Sequence, residues 1–204
     1  MDVAGLAGVV DGGLVSGMVG SEAGQTGGGD IFAWFVDHAV PPEYHDAAQA
    51  AGLNTHELLE QEAARQKPGE HGLIALDWWN GNRSTLVDVD LSGLLIGATL
   101  ATRAPDIYRA LIEATAFGTR EAGGLPEKNA LLRQIYADVT GRTLKLAGSA
   151  QSPALGSAMH AAVAAGAYAS IHDAAQKMGR LKSEVVTPIA AHQAIYDQLY
   201  AEYK

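Results

Sequence analysis

The sequence predicts an α/β domain in which a mixed sheet is flanked by helices. Short apolar runs typical of strands alternate with longer amphipathic segments typical of helices. The chain has 204 residues and is 48% hydrophobic, so it can bury the core of one substantial domain. Its 24 glycines are spread among the turns between these segments, which indicates tight turns and not a flexible linker.

The N-terminal region is predicted to form a β-hairpin followed by a helix. Residues 3–10 and 14–19 are short apolar runs, and Asp11-Gly12-Gly13 between them is a strong hairpin-turn signal. Asp30 is then a suitable N-cap for a helix over residues 31–38. The large apolar side chains of that helix favour a role in the core over contact with a ligand.

A second helix and a buried strand are predicted next. Asn54 and Glu57 have the spacing of a capping box, which predicts a helix that runs to about Gln66. Residues 71–76 form a short apolar run that predicts a buried strand.

The loop after this strand, Asp77–Arg83, has two interpretations that the sequence leaves open. It reads Asp-Trp-Trp-Asn-Gly-Asn-Arg, with two large aromatic residues among polar ones. In the structural interpretation, the indoles cover a core edge and Asn80-Gly81 is a turn. In the functional one, the loop contacts a sugar, since indoles pack on sugar faces and polar side chains bond hydroxyls.

A glycine turn followed by an amphipathic helix occupies Glu121–Gly141. Pro105 and Asp106 start the preceding helix. Gly123-Gly124 permits close approach of another molecule to bare backbone, and the helix after it can favour a phosphate or a sugar hydroxyl. A plain connector is the alternative, since isolated glycine motifs are often accidental. The apolar stripe of this helix comprises Leu131, Leu132, Ile135, Tyr136 and Val139.

The C-terminal region is predicted to contain a strand at 143–146, a helix rich in small residues at 153–166 and a final helix at 190–204. His160 is interpreted as a tolerated helix residue and not as a metal ligand, because no second ligand has the required spacing.

Composition excludes several classes of function. The net charge of −9 argues against a broad nucleic-acid-binding surface, although a phosphorylated small ligand remains compatible with it. There are no cysteines, so disulfides and thiolate chemistry are excluded. The sequence shows no membrane-length apolar run and no basic start of a signal peptide, which leads us to expect a cytoplasmic protein that does not bind membranes.

Several runs together resemble the C-terminal half of the bacterial L-ribulokinases, sugar kinases of the actin-like ATPase fold. The resemblance covers nearly the whole chain. The runs that carry it are Glu22–Gln25, Gly29–Phe35, Leu76–Ser84, Tyr108–Arg120, Gly123–Asn129, Tyr136–Gly141 and Ala154–Gly156. It implies an incomplete actin-like, ribonuclease-H-like ATPase domain that uses ATP and Mg²⁺ to phosphorylate L-ribulose at its 5-hydroxyl in L-arabinose breakdown.

The resemblance also implies roles for particular residues. Gly123, Gly124 and Asn129 match positions that line the adenine and ribose, and Gly29 matches a glycine beside the nucleotide. Glu22 matches the acidic residue that contacts the sugar. It implies no metal ligand and no catalytic residue in this chain, because the family's general base lies in the N-terminal domain.

The chain departs from the family pattern in two ways. Residues 1–204 match only the nucleotide-binding domain, so the N-terminal sugar-binding domain is expected to be absent. A further helix end and a strand are also missing where Arg120 meets Glu121. We therefore expect weak or no activity, and we expect self-association or association with a missing kinase half.

Two further functions remain as alternatives. The chain could be a non-catalytic ATP-binding or structural fragment, or its substrate could be another ketopentose such as xylulose. Nucleotide binding and ADP release distinguish these functions.

Overall fold

The computed structural model describes Leu6 and residues 8–122 and 129–204. Gly123 and Gly124, for which the sequence predicts contact with the nucleotide, lie outside the described residues. The elements in chain order are β1 (Gly8–Asp11), β2 (Val19–Glu22), α1 (Gly29–His38), α2 (Pro42–Ala50), α3 (Thr55–Ala63), β3 (Ile74–Leu76), β4 (Leu94–Ile96), α4 (Ala104–Ala122), α5 (Ala130–Thr140), β5 (Leu144–Ala147), α6 (Ser152–Ala164), α7 (Ile171–Met178), β6 (Leu181–Val186) and α8 (Ala190–Tyr203).

The α/β class is confirmed, whereas the strands pair differently from the expected mixed sheet. The described strands form three two-stranded antiparallel sheets, β1–β2, β3–β4 and β5–β6. Between α4 and α5 the described residues contain no strand. The paired strands β1–β2 and β3–β4 are joined by loops, whereas α6 and α7 lie between β5 and β6 in the sequence.

Two N-terminal predictions were wrong in detail. The second hairpin strand was expected at 14–19, but β2 begins at Val19, because a longer loop precedes it and Gly12 N donates to Met18 O at 2.9 Å. Asp30 is not the N-cap of α1: Gly28 occupies that position, and Asp30 lies in the first helical turn. There its negative charge still stabilises the positive end of the helix dipole.

Two other helices follow their sequence signals closely. The capping box of α3 is confirmed: Asn54 Oδ1 accepts the amide of Glu57, and Glu57 Oε2 accepts the amide of Asn54, both at 2.9 Å. Helix α5 ends at Gly141, which has a left-handed φ of 65° as a C-terminal glycine requires.

Helix α4 is the centre of the core. It packs against α3, α5, α8 and β3. Leu111, Ile112 and Phe117 on α4 are all buried, as are Ile135 on α5 and Leu59 on α3. The predicted final helix is confirmed as α8, whose buried residues are Tyr196 and Tyr203.

A buried polar network ties α4 to β3 and α8. Glu113 accepts hydrogen bonds from Arg109 Nε at 2.9 Å and from the Tyr196 hydroxyl at 3.0 Å. His71 Nε2 lies 3.1 Å from the same carboxylate, and His71 Nδ1 accepts the amide of Leu73 at 3.0 Å. The hydrogen of the neutral imidazole therefore sits on Nε2, from which it donates to Glu113.

Candidate functional site

The Glu22–Thr26 segment and the loop from Asp77 to Ser84 form one hydrogen-bonded assembly. Gly24 N donates to the Ser84 hydroxyl at 2.7 Å, and the Thr26 hydroxyl donates to Gly81 O. Arg83 forms an ion pair with Glu22. The segment that follows β2 is thus held in place by a loop about sixty residues further along the chain.

Asp77 is the buried centre of this assembly. Its Oδ1 accepts the Tyr203 hydroxyl at 2.6 Å, and its Oδ2 accepts Gln25 Nε2 at 2.6 Å. Burial raises the pKa of Asp77 above its ordinary value, although these two hydrogen bonds oppose the shift. Because each oxygen accepts a hydrogen bond from the protein, the carboxylate acts as a structural acceptor.

The amide of Gln25 joins Asp77 to helix α4. Its Nε2 also donates to the backbone oxygen of Thr115 at 2.8 Å, and its Oε1 accepts the Thr119 hydroxyl at 2.8 Å. This pattern of donors and acceptors distinguishes Nε2 from Oε1 in the Gln25 amide. Gly118 permits the close packing, because a Cβ there would lie 2.5 Å from Gln25 Nε2.

Little free volume remains at this junction. A cavity of about 10 Å³, roughly what one water molecule needs, lies between Gln25, Asp77, Gly118 and Tyr203. The Glu22 side chain is 60% exposed, so it lies at the open side of the assembly. A ligand can therefore reach Glu22 but not Asp77.

The Asp77–Arg83 loop, whose role the sequence left open, is mainly a structural support here. Trp79 Nε1 donates to Leu76 O at 3.0 Å, and its ring lies 4.7 Å from that of Trp34. Arg83 forms an ion pair with Glu22, the residue that is predicted to contact the sugar, so the loop holds that residue in place.

The structure gives Gly29 and Asn129 different environments. Gly29 is exposed at the start of α1, with open space where a Cβ would project, so another molecule can approach the helix end. Asn129 is the N-cap of α5, and its Oδ1 accepts the amide of Leu132 at 2.5 Å. The described contacts do not join Asn129 to Glu22 or Gly29, and Gly123 and Gly124 lie outside the described residues.

Several important residues were missed as site residues by the sequence interpretation, among them Gln25, Ser84, Gly118 and Tyr203. Gln25 lies in one of the runs that carry the family resemblance, and Tyr203 lies in the predicted final helix. Their partners lie far away in sequence, 126 residues in the case of Tyr203 and Asp77. No local spacing rule reports such pairs.

Within the described part of the chain, no cluster of three or more His, Cys, Asp or Glu side chains could hold a metal ion.

No helix among the described residues is long and apolar enough to cross a membrane.

The chain is similar to known sugar kinases in sequence and in fold. A ribulokinase of Halalkalibacterium halodurans is 55% identical over 223 positions, which cover 99% of this chain and 40% of that protein. A ribulokinase of Mycolicibacterium smegmatis is 51% identical over 219 positions, which cover 99% of this chain and 39% of that protein. The chain thus spans about 40% of the length of these curated relatives.

Solved structures of sugar kinases confirm the fold class. A xylulose kinase from Rhodospirillum rubrum matches with a TM-score of 0.71 and 25% identity over 93% of this chain and 39% of that one. A Plasmodium falciparum glycerol kinase solved with ADP matches with a TM-score of 0.60 and 17% identity, covering 90% of this chain and 37% of that one.

A family model matches this chain in two segments, residues 1–122 and 121–165. The segments meet beside Arg120 and Glu121, where the sequence predicted an internal deletion. The alignment with the Halalkalibacterium halodurans relative spans 223 positions and is therefore longer than this 204-residue chain, so it contains positions that this chain lacks. The internal deletion is confirmed. The matched model describes the C-terminal domain of the FGGY family of carbohydrate kinases, and this chain belongs to that family.

Proposed function

We propose that these 204 residues form the nucleotide-binding part of an ATP-dependent kinase that converts L-ribulose to L-ribulose 5-phosphate. The observation that carries this proposal is the 55% identity, over 99% of the chain, to a protein named ribulokinase. The solved xylulose kinases are more distant in sequence, at 21% and 25% identity, so they support the fold and not the sugar.

In this proposal Glu22 accepts hydrogen bonds from sugar hydroxyls. It is exposed, and its partner Arg83 comes from the supporting loop, so the carboxylate is both accessible and oriented. One oxygen of Glu22 is held by Arg83, which leaves the other oxygen for a hydroxyl. A carboxylate oriented in this way is a strong acceptor for hydroxyl hydrogen bonds.

The nucleotide is assigned to the N-terminal end of α1, at Gly29, together with Asn129 and the sequence Gly123-Gly124. The open space at Gly29 supports this assignment, because exposed amides at a helix N-terminus favour phosphate. Mg²⁺ bound to ATP would neutralise phosphate charge during transfer. The side chain of Asn129 stabilises the start of α5.

The described carboxylates of the candidate site do not offer a general base. Both oxygens of Asp77 accept hydrogen bonds inside the protein. Glu22 is assigned to sugar binding, and the family resemblance places the general base in the N-terminal domain. A base must reach the proton of the attacking hydroxyl. We therefore expect these 204 residues by themselves to bind nucleotide without transferring phosphate.

Calorimetry with ADP and a coupled assay of ADP release with ATP and L-ribulose test the two parts of the proposal. Saturable ADP binding without turnover is expected. Gly29→Leu should weaken ADP binding at least tenfold, because its side chain would project into the open space used by the ligand. Gly156→Leu, at an equally open glycine of α6, is the matched control.

Failure to bind ADP would overturn the nucleotide assignment, and turnover by the chain alone would overturn the expected inactivity. With the relatives' remaining portion supplied as a second polypeptide, L-ribulose should be phosphorylated faster than xylulose. The reverse preference would move the substrate to another ketopentose.

A non-catalytic ATP-binding or structural module is the second candidate. It is favoured by the break of the family match at residues 121–122, directly before the turn assigned to adenosine. ADP binding without turnover in the supplemented sample supports this candidate over the kinase.

A further inference from the structure

A second cavity, of about 310 Å³, lies at the opposite end of α4 from the candidate site. Its walls are the connection from α3 to β3, the loop around Thr99–Arg103 and the first turn of α4. Asp106 at this cavity and Gly118 at the Asp77 assembly are twelve residues apart on α4, which is about 18 Å along the helix axis. The volume is at the lower end of the range of roughly 300–1,000 Å³ typical of small-molecule sites.

One side of the cavity offers hydrogen-bond donors. The Thr102 hydroxyl oxygen accepts the amide of Thr99 at 2.9 Å, and the Thr99 hydroxyl oxygen accepts the amide of Ala101 at 3.2 Å. Each hydroxyl thereby has its oxygen oriented by the backbone, and its own hydrogen can be donated to a ligand. The exposed Arg103 adds a guanidinium on the same loop.

The facing side offers acceptors. Gln66 Nε2 donates to Asp106 at 2.5 Å, which fixes the amide, while the buried Gln66 Oε1 has no hydrogen-bond partner among the described residues. That oxygen is closed to solvent, so a ligand in the cavity does not reach it. The acceptor on this side is the carboxylate of the exposed Glu70.

The charges of the lining disfavour an anion. Glu70 and Asp106 are acidic, and Arg103 is the basic side chain of the lining. The Asp106 carboxylate accepts the amide of Arg103 at 2.7 Å and so already provides negative charge at the start of α4. The site therefore matches a molecule with several hydroxyl groups and no net negative charge.

We propose that this cavity binds a small, uncharged, polyhydroxylated molecule through the hydroxyls of Thr99 and Thr102, the Arg103 guanidinium and the Glu70 carboxylate. This binding site is independent of the proposed nucleotide and sugar positions. Failure of the proposed kinase function would leave it unchanged.

Titration of the ¹⁵N-labelled chain with xylitol, monitored by two-dimensional NMR, tests the proposal. Saturable shifts of the amides of Thr99, Ala101 and Thr102 are expected, whereas inorganic phosphate should leave these amides unchanged. Unsaturable shifts spread over the whole surface, or stronger binding of phosphate, would overturn the proposal.

Two pairs of variants locate the ligand. Arg103→Gln should weaken xylitol binding about fivefold, as expected for one lost hydrogen bond, and Arg142→Gln, at an exposed arginine outside the cavity, should not. Thr102→Val should have a similar effect, with Thr143→Val as its control. Because Thr102 also orders its loop, Arg103→Gln decides the matter if Thr102→Val fails to fold. Equal binding by Arg103→Gln and its control would contradict the proposal.

Discussion

Helices α4 and α6 show opposite relations between composition and burial. Helix α4 contains charged and polar residues, yet Arg109, Glu113, Thr115 and Thr119 on it are all buried. Helix α6 is almost entirely small or apolar, with His160 as its titratable residue, and it has no buried residue. A helix that is apolar all round is normally buried. The elements packed around a helix, and not its hydrophobicity alone, therefore determine which helix forms the core.

The partners of α4 explain the difference. It is enclosed by α3, α5, α8 and β3. Of its buried polar groups, Arg109 donates to Ala63 of α3 and Tyr196 of α8, and Thr119 donates to Gln25 in the segment after β2. Helix α6 packs mainly against α7. Burial of polar groups is tolerated in α4 because their hydrogen bonds are made inside the protein.

The largest expected effect comes from breaking the charged network of α4. Arg109→Met removes the cation that donates to Glu113 at 2.9 Å and leaves a buried carboxylate without its ion pair. The free energy of unfolding should fall by about 3–5 kcal/mol, measured by urea denaturation. Arg142→Met, at an exposed position, should change it by no more than about 0.5 kcal/mol. Similar losses in the two variants would show that the network contributes little.

A pair of glycine substitutions should act in opposite directions on the two helices. A Cβ on Gly118 would collide with Gln25 Nε2 at 2.5 Å and with Asp77, so Gly118→Ala should destabilise the protein by about 1–3 kcal/mol. Gly156 of α6 has open space around it, so Gly156→Ala should stabilise by about 0.5–1 kcal/mol through helix propensity. Thermal unfolding of both variants measures the difference. A destabilised Gly156→Ala would mean that α6 is covered by a partner.

The sequence predicted the parts of the fold that depend on neighbouring residues. The capping box at Asn54 and Glu57 and the terminal Gly141 of α5 were predicted correctly, because caps act over three or four residues. Helices α2 and α7 and strand β6 were not predicted. Pro42 starts α2, a position that proline suits because its missing amide hydrogen is not needed there.

The candidate site was less predictable than the helices. Glu22 and the Asp77–Arg83 loop were singled out separately, and the family resemblance supplied the role of Glu22. Their contact depends on how β2 and β3 are brought together, which no spacing in the sequence specifies. The same limitation hid Tyr203, whose hydrogen bond to Asp77 closes the assembly from the C-terminal helix.

The smallest expected effect concerns the pH dependence of stability where α4 meets the Asp77 assembly. Burial raises the pKa of Asp77, so the folded protein retains a proton over a pH range in which the unfolded chain has released it. This contribution to stability is complete below the unfolded pKa and is lost as pH rises through the folded pKa. Burial also raises the pKa of Glu121, which adds a slope of the same sign.

Asp77→Asn should therefore flatten, but not abolish, the fall in unfolding free energy with rising pH above the ordinary carboxyl range. Urea denaturation at a series of pH values measures this slope, and Asp46→Asn, at an exposed carboxylate of α2, is the control. The variant should also lose some stability at every pH, because the new Nδ2 group would face the Gln25 donor that Asp77 now accepts. An unchanged slope would mean that Asp77 stays ionised throughout. In that case the donors of Gln25 and Tyr203 would outweigh burial, and the junction with α4 would be built around a permanent negative charge.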